Sequence, residues 1–156
     1  VFAPLSLKVG GVDWIQSNIS FNPKKFTLRG LHFQVGEFAQ TKLIKVINGE
    51  ILDFIVDIRE GTNNYMMLYM YHMESGDELL VPKGFAHGYV VLSETAIFSY
   101  KVDEKYDVLS EDGIGWDDIS LNINWKIPTI RTSLNCMFLI FVYIKILILN
   151  LNNFLL

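Results

Sequence analysis

Arg29 and His32 stand three positions apart in Leu28-Arg29-Gly30-Leu31-His32-Phe33-Gln34, with a glycine between them in an otherwise apolar run. A permanently charged five-donor group beside a group that titrates near neutrality suits an anionic substrate that must also lose a proton. Side chains alternate in extended chain, so the two would point to opposite faces of an ideal strand. A glycine kink or bulge between them would deliver both to one cavity. The competing reading is an edge arginine and a satisfied core histidine, and these residues alone leave both open.

Other residues carry the same ambiguity. Lys42 is either a cation aimed at an oxygen or a solvated strand-end lysine. In VPKGFAHGYVV a proline-glycine turn delivers His87 to an apolar strand between Ala86 and Gly88, which leave room around the imidazole. Tyr100 shares a strand face with Phe98 and Val102; such a phenol is a core residue or a proton donor that quenches a carbanion. Tyr106, Glu111 and Asp118 fall in a following loop. A metal is not expected. The position after His32 that would hold a second ligand is Gln34, there is no H-x-H pair, and a third nitrogen would have to come from His72 in a plain strand pattern.

The elements that must position these groups read as strands. KLIKVI, Asn48-Gly49 and EILDFIVDI predict a hairpin, because Asn-Gly tolerates positive φ. In its second arm Leu52, Phe54, Val56 and Ile58 share one face. Ile51, Asp53, Ile55 and Asp57 share the other, which is expected to be partly solvated beneath a second sheet or subunit. Further strands are expected over 65–73, 79–81, 88–92 and 95–102, and an irregular loop over 103–118. Short strands, frequent turns and no helical periodicity predict an all-β sandwich or jelly roll.

The 156 residues suit one domain with a real core. The net charge of −4 and the lack of a basic stripe argue against nucleic acid. Cys136 is the only cysteine, which excludes an internal disulfide framework and fits a reducing, cytoplasmic compartment. The first residues do not read as a signal peptide. From Met137 the chain runs MFLIFVYIKILILNLNNFLL, an apolar tail unlike the rest.

RGLHFQ, KLIKVINGEILDFIVDIRE, VPKGFAHGYVVLSETAIFSYK and GIGWDD, in this order, resemble the dTDP-4-dehydrorhamnose 3,5-epimerase family from about Gly11 to Pro128. The resemblance implies a dimeric cupin-type jelly roll that needs no cofactor. Its members invert C3 and C5 of dTDP-4-dehydro-6-deoxy-D-glucose, giving dTDP-4-dehydro-L-rhamnose. Both carbons are α to the C4 ketone, so proton removal gives an enolate. By the same resemblance His32 matches the base, Lys42 the group that stabilises charge on the C4 oxygen, and Tyr100 the acid that returns a proton from the opposite side. Gln16, Asn18, Arg29, His87, Tyr106 and Glu111 match substrate-binding positions, Arg29 being suited to the diphosphate. Ser17 stands where the family's Q-D-N segment has aspartate.

The chain also departs from the family pattern. Relatives have a D-x-R-G-F-F-x-E segment before the residues present here. After W-x-I-P they carry S-x-K-D, whose aspartate pairs with the catalytic histidine; here Pro128 leads into TIRTSLNCMF, without Lys-Asp. An epimerase domain over 1–128 and an atypical tail over 129–156 are expected. The tail reads either as the product of a frameshift near Pro128 or as a genuine apolar extension that touches a membrane or partner. The alternatives in function are a catalytically impaired dTDP-sugar-binding cupin, and a mono-epimerase or ketoisomerase of a dTDP-sugar.

Overall fold

β-Branched and aromatic runs, cut by Gly, Pro, Asn and Ser, fold almost wholly into strands. A computed structural model describes residues 8–9, 11–121, 123 and 131–132. In chain order the strands are β1 (Lys8–Val9), β2 (Val12–Asp13), β3 (Gln16–Asn22), β4 (Thr27–Gln34), β5 (Lys42–Asn48), β6 (Glu50–Asp57), β7 (Leu68–Glu74), β8 (Glu78–Val81), β9 (Phe85–Val91), β10 (Ala96–Val102), β11 (Glu111–Gly113) and β12 (Arg131–Thr132). A 3-10 turn at Gly36–Phe38 is the other regular element among the described residues, and no helix there is long and apolar enough to cross a membrane. β1 and β2 form a small antiparallel pair. The main body is two sheets, one in the order β3-β10-β5-β8, the other β11-β4-β9-β6-β7 with β12 beside the first residues of β4. The sheet pairings are antiparallel except that of β12 with β4. This is the expected β-sandwich. The expected tail falls outside the described residues apart from 131–132.

The hairpin predicted at Asn48-Gly49 does not form. β5 pairs with β10 and β8, whereas β6 pairs with β7 and β9. The chain turns a corner at Gly49 and passes from one sheet to the other. Gly49 has φ 92°, and a Cβ there would run into the Thr95 carbonyl and Ser93 Oγ. A hairpin would set Ile44 and Val46 beside Ile51 and Ile55 in one sheet. The corner sets them face to face instead, in one core cluster with Tyr89, Val91 and Phe98. Burying each such side chain contributes roughly 1.5–3 kcal/mol, which outweighs the local preference of two turn residues.

The same packing corrects the reading of β6. The face carrying Ile51, Asp53, Ile55 and Asp57 is buried rather than partly solvated. Asp57 accepts hydrogen bonds there from the Arg59 backbone N–H and guanidinium. Phe54 and Val56 fill a second cluster with Leu28, Leu31, Ala86, Val90 and Leu121, against which Ile114, Trp116 and Ile123 also pack. The segment expected to be irregular over 103–118 thus covers a face of the larger sheet. It also contributes β11, whose Gly113, Asp112 and Glu111 pair with His32, Phe33 and Gln34.

Gly30 sets the most consequential local geometry. Arg29 pairs with Tyr89 and His32 with His87, so β4 spends three steps where β9 spends two. The extra residue is a β-bulge, and it turns Arg29 and His32 to the same side. Gly30 has φ 99°, and a Cβ would lie 2.5 Å from the His87 carbonyl oxygen and 2.6 Å from Gly88 Cα. Gly30→Ala should therefore destabilise the protein by about 2–5 kcal/mol, combining a strained φ with a backbone clash. The change is read from the midpoint of urea unfolding; an unchanged midpoint would contradict it.

Candidate active site

The sheets enclose a cavity of about 460 Å³ at one end of the sandwich. Every site residue expected from the sequence lines it. β3 contributes Gln16 and Asn18, β4 contributes Arg29 and His32, and β5 contributes Lys42. His87 comes from β9, Tyr100 from β10, Glu111 from β11 and Tyr106 from the loop before it. Asp118 and His72 are not among the lining residues; both are exposed. Among the described residues no three His, Cys, Asp or Glu side chains converge on a point that could hold a metal ion.

Lys42 is buried rather than solvated, with 6% of its surface exposed. Its Nζ lies 3.1 Å from His32 Nε2. An ammonium has no acceptor, so Lys42 donates and Nε2 accepts, which assigns the proton of the neutral ring to Nδ1. The positive charge of Lys42 is the main reason that His32 is held well below its ordinary pKa, followed by burial and by the charges of His87 and Arg29. His32 is accordingly neutral, with a lone pair in the cavity. Burial lowers Lys42 to about 8, against the opposing pull of the Glu111 and Asp53 carboxylates. The lysine thus still carries most of its charge at neutral pH.

Tyr100 is half-buried, and burial raises its pKa, so it presents an O–H at neutral pH. It pairs with Ile44 while Val102 pairs with Lys42, which makes Lys42 and Tyr100 diagonal neighbours on one inner face. His32 belongs to the opposite sheet. The imidazole and the phenol therefore address the cavity from its two walls. At the mouth, the Tyr106 hydroxyl donates to Glu111 at 2.6 Å, a bond that pushes Tyr106 up to about 12. Gln16 Nε2 donates to Asn18 Oδ1 at 2.7 Å.

The sequence reading missed two supports of this site. Asp53 is fully buried, and its Oδ2 lies 2.8 Å from His87 Nε2. Burial raises the Asp53 pKa, and the contact with His87 opposes that rise. Its Oδ1 has no hydrogen-bond partner among the described residues. The available signal was an aspartate set between Ile51 and Ile55 on one strand face. Asp53→Leu fills the volume without an acceptor and leaves the imidazole unpaired. It should cost about 1–3 kcal/mol, measured by urea unfolding, whereas no loss would mean that His87 gains nothing from Asp53. Gln34 is the other support. Its amide donates to the Phe38 and Lys105 carbonyls and accepts from the Asp107 N–H, which ties the loop bearing Tyr106 to β4.

A two-sheet, almost wholly antiparallel sandwich whose facing sheets bring an imidazole, an ammonium and a phenol to one cavity is a cupin-type jelly roll. Residues 2–136 match the family model described as dTDP-4-dehydrorhamnose 3,5-epimerase, and the chain belongs to that family. It is 40% identical over 116 residues to the Escherichia coli enzyme of that name, a match covering 73% of this chain and 62% of the relative. It is also 40% identical over 119 residues to the Sinorhizobium fredii enzyme, covering 75% of this chain and 61% of the relative. The chain thus spans less than two thirds of the length of these relatives. Among solved structures, the Bacillus anthracis epimerase with TDP and pyrophosphate bound superimposes with a TM-score of 0.75 at 40% identity, covering 78% of this chain and 71% of that one. The Legionella pneumophila enzyme, in complex with dTDP-4-keto-L-rhamnose, gives 0.75 at 35% identity, covering 81% and 68%.

Proposed function

We propose that the protein inverts C3 and C5 of dTDP-4-dehydro-6-deoxy-D-glucose, giving dTDP-4-dehydro-L-rhamnose. The observation that carries this reading is the placement of His32 and Tyr100 on facing sheets of one cavity. A proton taken from one side of a planar enolate and returned from the other inverts the carbon. His32, neutral and partly buried, is the base. Lys42 faces the C4 oxygen, where donors aimed at a forming oxyanion are worth several kcal/mol. Tyr100 is the acid. Arg29 takes the diphosphate, while Gln16, Asn18, His87, Tyr106 and Glu111 hold the rest of the substrate. The ligands named in the Bacillus and Legionella structures support a dTDP-sugar as the occupant. Residues 1–128 would form the epimerase domain.

The pairing of Lys42 with His32 explains how one site can hold a base quiet and then use it. Before reaction the ammonium disfavours the imidazolium. As negative charge develops on the C4 oxygen beside Lys42, that field is cancelled, and the proton on His32 becomes electrostatically favourable. Proton removal and oxyanion formation are thereby coupled through one 3.1 Å contact.

Incubation with the keto-sugar in heavy water tests the proposal. Deuterium at both C3 and C5, followed by mass spectrometry and NMR, is the expected result. Deuterium at one carbon would replace it with a mono-epimerase, and none at either would overturn it. Tyr100→Phe should separate the steps. Exchange continues, but formation of the inverted sugar falls by about 10²-fold, because the return proton on the far face is lost. A second reading, a dTDP-sugar-binding protein with impaired catalysis, is favoured by one observation: among the described residues no carboxylate bonds His32. Unaltered dTDP binding with no exchange would support it, and a gain in turnover on restoring S-x-K-D after Pro128 would establish it.

We also infer that the protein acts as a homodimer. Ile19 and Phe21 on the outer face of the four-stranded sheet are 73% and 60% exposed, and Ile47 and Leu80 extend that apolar surface. Sedimentation velocity that returned only monomer would refute this.

A further inference from the structure

Asn22 ends β3 with its amide fully buried, and every hydrogen-bonding position of that amide is used. Oδ1 accepts from the Tyr89 hydroxyl at 3.1 Å and from Arg29 Nε at 3.3 Å. Nδ2 donates to Ser20 Oγ at 3.2 Å and to the Ala96 carbonyl at 3.5 Å. Ser20 Oγ lies 3.4 Å from the Tyr89 hydroxyl oxygen. The Tyr89 proton goes to Asn22, so the Ser20 hydroxyl donates to Tyr89. Asn22, Ser20 and Tyr89 therefore close a ring in which every bond runs the same way around. Such bonds polarise one another, and the ring fixes where the second lone pair of Oδ1 points. It points at Arg29.

The capture is side-on. Among the described residues Asn22 is the hydrogen-bond partner of the guanidinium, and it uses Nε alone. Among the described residues neither terminal nitrogen, the fork that engages phosphate oxygens in pairs, has a hydrogen-bond partner, and Arg29 lines the cavity. Asn22 itself does not line that cavity. Its neutrality also matters. An aspartate at this place would accept the same two bonds, yet it would neutralise the guanidinium and could not donate to Ser20 or Ala96. A buried amide orients the arginine and leaves its charge for the ligand.

We propose that Asn22 is a positioning residue for phosphate recognition, holding Arg29 by Nε so that its terminal nitrogens meet the diphosphate of a nucleotide-sugar. This rests on the sugar-nucleotide reading of the cavity. Ordering of a long side chain is thereby completed in the folded protein and not charged against ligand binding.

The test compares dTDP with thymidine, its phosphate-free counterpart, by titration calorimetry on the full chain. Asn22→Ala should weaken dTDP about tenfold, leave thymidine within about twofold, and raise KM with kcat nearly unchanged. Arg29→Ala should weaken dTDP by more, and adding Asn22→Ala to it should cost nothing further, because the amide acts through the guanidinium. Asn22→Asp preserves shape should the alanine variant fail to fold. It sets a carboxylate on Nε, so dTDP affinity should again fall while thymidine affinity holds. Equal losses for both ligands, additive losses in the double variant, or dTDP affinity unchanged by both Asn22 substitutions would overturn the inference. If Arg29→Ala leaves dTDP affinity intact, the nucleotide reading of the cavity fails first, and the positioning role with it.

Discussion

If His32 is the base, its replacement by asparagine should lower the rate of deuterium incorporation at C3 and C5 by about 10³-fold, within the range that a positioned general base supplies. Affinity for dTDP should stay within about twofold, because in the proposed mode the imidazole meets the sugar ring and not the diphosphate. Asparagine can still accept from Lys42, so the buried ammonium keeps a partner and the fold is preserved. The proposed base is singled out by its surroundings. Of the two imidazoles lining the cavity, His87 is bonded to the buried Asp53, whereas the lone pair of His32 is shared, among the described residues, with Lys42 alone. Single-turnover kinetics on His32→Asn and His87→Asn decide between them. Loss of exchange in the His87 variant with retention in the His32 variant would reverse the assignment.

Lys42→Met should have the second largest effect, a fall in kcat of about 10²–10³-fold if it removes the proposed preorganised donor at the forming oxyanion. Its pH signature is more specific than its size. In the native protein His32 is depressed, so it remains a neutral base well into mild acid, and Lys42 is lowered to about 8. Activity should therefore be flat across neutral pH and decline as pH rises through about 8, where the ammonium loses its proton. Methionine removes the charge that contributes most to the depression of His32. The His32 pKa then rises toward 6.5, held short of it by burial and by His87 and Arg29. A raised pKa means that the base is protonated earlier on acidification. The acidic limb of kcat/KM thus moves up toward neutrality, and the alkaline limb near 8 disappears. A variant profile that keeps both native limbs would show that Lys42 is not coupled to His32.

Much of this was legible along the chain, for identifiable reasons. Strand positions at β8, β9 and β10 followed from β-branched and aromatic runs between turn residues, since local propensity and local packing agree there. β7 was expected from 65 but starts at Leu68, and β9 was expected from 88 but starts at Phe85. All nine site residues named from the motifs line one cavity: eight sit on strands, where period-two alternation sets the inward face and the bulge at Gly30 resets it between Arg29 and His32, and Tyr106 comes from the loop before β11. The bulge at Gly30 was anticipated from the need to bring Arg29 and His32 together, and the register of β4 on β9 supplies it.

Other features could not be read this way. Asn48-Gly49 carries a hairpin signal and forms a corner between sheets, since the choice depends on which sheet each arm completes, and that is settled by partners 28 to 60 residues away. β11 is two acids and a glycine, with no apolar residue to mark a strand, and is visible only once β4 offers it an edge. By itself the sequence determined the all-β class, the family motifs and the residue types of an acid–base site, because these depend on composition and on spacing along one strand. Only the tertiary structure decided that His32 and Tyr100 lie on facing walls, that Lys42 bears on His32 at 3.1 Å, and that Asp53 and Asn22 stand behind His87 and Arg29. Each of those is a contact between strands distant in sequence, and its strength depends on burial that the two sheets create only when they close on one another.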